Sequence, residues 1–282
     1  MKLRALTIAE LDNAVELLKE GFGELSGKSW RDSLLNVFAY AETLGESSVG
    51  SVVFNKESDI GICLALPSRR FAYEEEPRKV INLAAFYLKP QHQWLASVVL
   101  RRMMTDTEAD YVDLTPSHSM RKVNELLGFT TGTTGLVVVA LAGAALRRGM
   151  QTKIVPYEHV SAGKLPDGVR AMMAAHAKQD CLCLIAEHQG EYHPLILKRR
   201  KRAGLSAVRV LLVKDRSFLN DILGPLARYL LRQGCFLLEV EGSEKVGLWE
   251  AVIRPKSPCI QSTRPSGNGA IDHTFTELVF IL

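Results

Sequence analysis

No two cysteines of this chain carry the two-residue gap of a zinc site. The five, Cys63, Cys181, Cys183, Cys235 and Cys259, are odd in number and scattered, so they build no disulfide framework. Buried thiols in a reducing, cytoplasmic setting are the expectation. Cys181 and Cys183, two apart in CLCLIAEH, would share one face of a strand. Long apolar runs are missing as well. The longest, GLVVVALAGAAL at 135–146, falls short of the ~20 residues that cross a bilayer. The opening MKLRALTIAELDNAVELL lacks the apolar core of a signal peptide. A soluble protein with no membrane partner is therefore expected. Charge is nearly balanced, +4 over 282 residues, too little to indicate nucleic acid. HExxH, P-loop and GxSxG motifs are absent, and no metal is expected.

What is present is an ordinary globular composition, 47% hydrophobic and 23% charged, long enough for one large or two modest domains. Thr7 and Glu10 form a capping-box pattern before a helix whose apolar face is Leu11, Ala14, Val15, Leu17 and Leu18. A second helix is expected over 30–44. Two strands follow, SSVGSVVFN and IGICLALPS, and then the charged loop RRFAYEEEPRK. VINLAAFYLKP at 80–90 is apolar almost throughout, as a central strand covered on both faces should be. Next come the polar loop KPQHQWLAS, the helix LASVVLRRMMTDTE and the strand ADYVDLTPS. The helix SMRKVNELLGF closes at Gly128, and the strand GLVVVALAGAAL follows.

The order then recurs at an offset of about 125 residues. SAVRVLLVKD (206–215) stands for the long strand, SFLNDILGPLARYLLRQG for the helix and CFLLEVEG for the next strand. FTELVFIL reads as a C-terminal strand. The charged, Gly-containing stretch RRGMQT marks the boundary, so the expected domains are 1–148 and 149–282. The basic run KRRKR (198–202) has no interleaved aromatics. It reads as a solvated turn or a contact to an acidic substrate, in preference to a nucleic-acid site. Glu74, Glu75 and Glu76 read as a solvated hairpin loop that could attract a cationic amine.

A buried strand, a short loop and a helix start make an anion-binding device, because the first helical amides lack intrahelical partners and carry partial positive charge. Here the sequence resembles the GNAT acyltransferase superfamily. Pro90 stands at that family's proline turn and Gln93 opens its Q/R-x-x-G-x-G/A motif, with Ala96 and Val98 at the two small positions. NELLGF (124–129) is similar to its Y-x-x-x-GF segment, with Asn124 in place of Tyr.

The resemblance implies an α/β fold with a mixed sheet, as two tandem GNAT-like domains, and acetyl-CoA or another acyl-CoA as co-substrate. Gln93, Trp94, Leu95, Ala96, Ser97 and Val98 would cradle the pyrophosphate. The edge at Phe86, Tyr87 and Leu88 would pair with the pantetheine as a strand would. Asp113 and His118 are the candidate catalytic residues, near Ser117 and Ser119. The implied activity is acyl transfer, in the first place of acetyl, to a small-molecule or protein amine, with a homodimer left open. A catalytically inactive binding or assembly module is the alternative. In the second copy DRSFLND (215–221) has no glycine and two acids, a poor match to pyrophosphate. That copy is expected to have lost CoA binding and to serve as lid, substrate wall or dimer surface.

Overall fold

Apolar residues three and four apart place one face of each early helix against a sheet. The computed structural model describes residues 1–25, 28–73, 76–148, 151–161, 163–244, 251–264 and 269–281, with the side chains of 255–257 left aside. Glu74 and Glu75, and position 149 at the expected boundary, lie outside the described residues.

After β1 (Lys2–Ala5), α1 (Leu11–Phe22) buries the five predicted apolar residues. The capping box does not form. Thr7 makes no side-chain cap bond, residues 8–10 are a 3-10 turn, and the Glu10 carboxylate is held by Arg4 and Asn13 instead. Next, α2 (Trp30–Thr43) begins at Ser29, whose hydroxyl accepts the Asp32 amide at 3.0 Å.

Three antiparallel strands follow: β2 (Gly50–Phe54), β3 (Asp59–Arg70) and β4 (Arg78–Leu88). A 3-10 turn at Pro90–Leu95 leads into α3 (Ala96–Met103), and β5 (Asp110–Asp113) returns parallel to β4. Then come α4 (His118–Leu126), β6 (Thr130–Ala140) and the short α5 (Leu141–Ala144).

The second half runs in a similar order, without counterparts of α2 and α4 among the described residues: β7 (Thr152–Pro156), α6 (Asp167–Ala177), β8 (Cys181–His188), β9 (Glu191–Arg202) and β10 (Leu205–Val213). α7 (Arg216–Arg232) and β11 (Leu237–Glu241) complete its parallel pair. The chain ends with β12 (Ala251–Ser262), β13 (Ile271–Asp272) and α8 (Glu277–Phe280). Two sequence expectations change here. FTELVFIL is a buried helical turn, entered through Phe275 at φ 56°, where a strand was expected. KRRKR is strand, paired along β10, with Lys198 buried and donating to Gln179 O at 2.6 Å and Val279 O at 3.1 Å. Cys181 and Cys183 do share a buried face, and all five cysteines are buried thiols.

One mixed sheet of thirteen described strands runs through both halves, in the order β1-β2-β3-β4-β5-β12-β6-β11-β10-β9-β8-β7, with β13 beside β10. Two strands are exchanged across the middle. β12, late in the sequence, lies between β5 and β6, while β6, early in the sequence, pairs with β11. Each parallel pair is thus flanked by a strand from the other half. The largest apolar cluster is shared in the same way, joining Leu18, Trp30 and Leu34 to Met173, Ile185 and Phe280. Each such side chain contributes roughly 1.5–3 kcal/mol on full burial, so the halves stabilise one another. Among the described residues no helix is long and apolar enough to cross a membrane.

Candidate functional site

The sheet forks twice. β4 and β5 pair from Val80 opposite Asp110 to Asn82 opposite Val112, and there the parallel ladder ends. An extra residue on β4, between Ala84 (opposite Leu64) and Tyr87 (opposite Ile62), bulges the strand at the fork. Ala85 takes φ 45°, a left-handed conformation that costs an L-residue energy. Asn82 ties the fork's base. Its Nδ2 donates to Val112 O at 3.3 Å and Leu83 O at 3.2 Å, while its Oδ1 accepts the Glu277 amide at 2.9 Å.

Beyond the fork lies a slot made of two adjoining cavities, of about 130 Å³ and 230 Å³, which share Phe86, Ser117 and Met120. The deeper one is bounded by Leu83, Ala84, Asp113, Thr115 and Glu277. The outer one runs along Phe86, Tyr87 and Leu88 to Gln93 and Ala96. The sequence-derived edge and the start of the motif therefore meet on one slot.

The rest of the motif lies elsewhere. Trp94 is 75% exposed, Leu95 packs beside Val53, Ile60 and Leu88, and Val98 faces outward at 41% exposure. The Ala96 amide is spent on Gln93 O inside the 3-10 turn. Ser97 stands in the first turn of α3, which has no side-chain cap. His118 is exposed in the first turn of α4, outside the slot.

Asp113 reaches the slot and is almost buried. Burial raises its carboxyl to about 6, against the pull of Asn124. Asn124 is fully buried, donating from Nδ2 to Asp113 Oδ2 and to Gln261 Oε1, both at 3.0 Å. Asn124 therefore works as a fixed support under Asp113, and Gln261 arrives on the exchanged strand β12 opposite Asp113.

The residue that sequence reasoning missed is Glu277. Its Oε1 accepts the Thr115 hydroxyl at 2.8 Å, and the Thr115 amide donates to Asp113 Oδ1 at 3.3 Å, so Thr115 bridges the two carboxyls. Burial, then the nearby Asp113 charge, raises Glu277 to about 8. The one signal in the sequence was a single carboxylate inside the apolar run FTELVFIL.

The second fork, between β10 and β11, is built alike. The pairing ends at Arg209 opposite Glu239, and β10 carries an extra residue between Val210 and Leu212. At this fork the chain itself adds a strand, beside a cavity of about 650 Å³ that Asp215, Glu241, Ile271 and His273 help to line. Leu212 and Val213 pair with Asp272 and Ile271 of β13, and the His273 amide donates to Leu211 O at 2.7 Å. At the start of α7, Asp215 caps the helix, accepting the Phe218 amide at 2.8 Å.

The fold has counterparts in solved structures. A GCN5-related N-acetyltransferase from Anabaena variabilis ATCC 29413 aligns at TM-score 0.61 and 11% identity, over 93% of this chain and 72% of that one. The chain has the GCN5-related N-acetyltransferase fold. A putative acetyltransferase from Pyrococcus horikoshii shares this GNAT fold at TM-score 0.56 and 11% identity, covering 99% of this chain and 95% of that one. Eis1 from Mycobacterium abscessus shares it at TM-score 0.55 and 12% identity, over 93% and 73%. No family model matches the sequence, and neither does any curated protein.

Proposed function

We propose that the protein is an acyl-CoA-dependent N-acyltransferase, most simply an acetyltransferase, whose slot at the β4–β5 fork holds the acyl-CoA and whose acceptor is a primary amine. The observation that carries this reading is an open fork with two buried carboxyls at its deep end. The unpaired edge of β4 at Phe86 to Leu88 suits the amides of a pantetheine arm, which would add to it as a strand does. The Ser97 hydroxyl, in the first turn of α3, suits a phosphate oxygen. Carboxyls at the deep end suit a cationic amine. Positioning amine and thioester together supplies much of the rate in such a site. In this reading residues 1–148 carry the site. Residues 149–282 support it, through Gln261 on β12 and Glu277 on α8, and bind no CoA of their own.

Titration calorimetry with acetyl-CoA tests the reading, followed by thiol release with a panel of primary amines. One equivalent should bind, and at least one amine should turn over. Absence of binding sinks the proposal, while binding without turnover across the panel supports an inactive module. Met120 lines both cavities, so Met120→Trp should abolish binding while shifting unfolding stability by no more than about 1–3 kcal/mol.

A further inference from the structure

The acyl-CoA reading leaves two protons without an owner. The amine arrives as an ammonium and must lose one. The thiolate must gain one, and Asn124 at the expected tyrosine position cannot give it, because its amide is committed to Asp113 and Gln261. We propose that Asp113 and Glu277 divide this work: Asp113 takes the proton of the acceptor ammonium, and Glu277, in its acid form, protonates the departing thiolate.

This rests on the acyl-CoA reading of the fork and adds residue roles to it. The two carboxyls face the same deep cavity, from β5 and from α8, and Thr115 connects them. The contacts are unequal. Asp113 uses both oxygens, one on the Thr115 amide and one on Asn124, the pattern of an acceptor-only carboxylate. Glu277 uses Oε1 on the Thr115 hydroxyl, and Oε2 makes no hydrogen bond among the described residues, leaving an oxygen to carry a proton into the cavity. The surrounding charges agree with this split. Glu277 faces Asp113 from β5 and Arg209 from β10, and burial outweighs Arg209, so its acid form prevails at neutral pH. Asp113 feels Arg121 from α4 and the Asn124 amide, which keep its rise smaller. A pair of carboxyls pushed apart in this way is how one site runs acid and base chemistry together.

The balance closes. Asp113 takes a proton from the ammonium and the free amine nitrogen bonds to the acyl carbon. The carbon–sulfur bond breaks, and its electron pair leaves on sulfur, which takes the Glu277 proton. The new amide nitrogen gives up its extra proton to Glu277, restoring the acid. Asp113 releases its proton to water, so one proton leaves per turnover.

The test uses the full chain with the most active amine of the panel, or with butylamine if none stands out. Glu277→Gln keeps the shape and the Thr115 contact. It should lower kcat with acetyl-CoA by about 100-fold, with acetyl-CoA affinity unchanged in calorimetry. With the acetyl thioester of para-nitrothiophenol, whose thiolate leaves without a proton, the defect should shrink to a few-fold. An equal defect on both thioesters, or wild-type kcat in the variant, overturns the inference. Asp113→Asn should remove the acidic limb of the pH profile of kcat/KM for the amine, and retention of that limb overturns the Asp113 role. A readout independent of any acceptor is the carboxyl resonance lost from carbon-13 glutamate-labelled protein in Glu277→Gln. It should report an acid at pH 7, and an ionised group there overturns the inference. If the wild type does not bind acetyl-CoA, the acyl-CoA reading itself falls. Intact binding with unaltered variants removes only the assignment of protons.

Discussion

The first fork and the second are built on the same plan and differ in what fills them. Each begins with three residues of parallel pairing, and each has one extra residue on the longer strand. At the first, the strand edge borders a slot and the neighbouring helix has no side-chain cap. At the second, the chain supplies both missing pieces. β13 takes the place of an added strand, and the Asp215 carboxylate takes the place of an anion at the helix start. A fork leaves backbone groups that must be paired with something, because buried unpaired amides and carbonyls are costly. At the second fork the chain itself pairs the open edge of β10 with β13, whereas at the first the open edge of β4 borders a slot.

The strongest way to break the comparison is to unplug the second fork. Ile271 is buried in the second half's apolar cluster, so Ile271→Ala should cost about 2–5 kcal/mol in urea unfolding. Adding Asp215→Ala removes the cap of α7, for about 1 kcal/mol more. The count of bound acetyl-CoA should stay at one per chain in both variants. A second equivalent would mean that only the plug separates the two forks.

A smaller effect sharpens the first fork through pH. Glu277 is raised from 4.5 to about 8, so the folded state holds a proton that the unfolded state has lost. That stability is fully present below pH 4.5 and is lost as pH rises through 8. Below pH 6.5, His176 works the other way. It is buried and lowered to about 4, with Nδ1 on Met172 O and Nε2 accepting the Phe275 amide. Asp113, raised to about 6, overlaps that same range. Between pH 6.5 and 8 the Glu277 contribution stands nearly alone, a fall of roughly 2 kcal/mol. Unfolding free energies at the two pH values should differ by that much in the wild type and hardly at all in Glu277→Gln. A flat wild-type profile would mean that Glu277 is ionised in the folded state.

Much of this fold was legible because its signals are local. The apolar stretch at 80–90, the proline turn after it, the amphipathic α1 and the shared face of Cys181 and Cys183 follow from period and composition within a few residues. Element order also placed a long strand, a helix and a further strand in each half, where the parallel pairs β4–β5 and β10–β11 stand. The strand exchange was not legible, since which partner β12 chooses depends on a pairing to β5 and β6 more than a hundred residues away. β12 also contains two prolines, Pro255 and Pro258, which locally argue against a strand. Glu277 was hidden by the same cause. FTELVFIL has strand-like composition, and its helical turn comes from the tertiary setting of Phe275, stacked on Tyr40 with ring centroids 3.9 Å apart. Phe86 to Leu88, Gln93 and Ala96 line the slot from one local stretch, whereas Gln261 and Glu277 come from the far end of the chain.

The smallest predicted effect concerns the bulges themselves. Ala85 holds φ 45° at the first fork, while no residue of β10 has a positive φ. A left-handed L-residue costs roughly 1–2 kcal/mol, and glycine there avoids that cost but adds about 0.5–1 kcal/mol of unfolded-chain entropy. Ala85→Gly should therefore change stability by no more than about 1 kcal/mol, in the stabilising direction. Ala85→Val, branched at Cβ, should lose about 1–2 kcal/mol and weaken acetyl-CoA binding, because the bulge would relax toward regular strand and narrow the slot. The outcome to watch is the ratio of the two variants' binding constants. Equal affinities for acetyl-CoA would show that the Ala85 conformation accompanies the open fork without holding it open. A loss confined to the valine variant would make the strained residue part of what keeps the first fork different from the second.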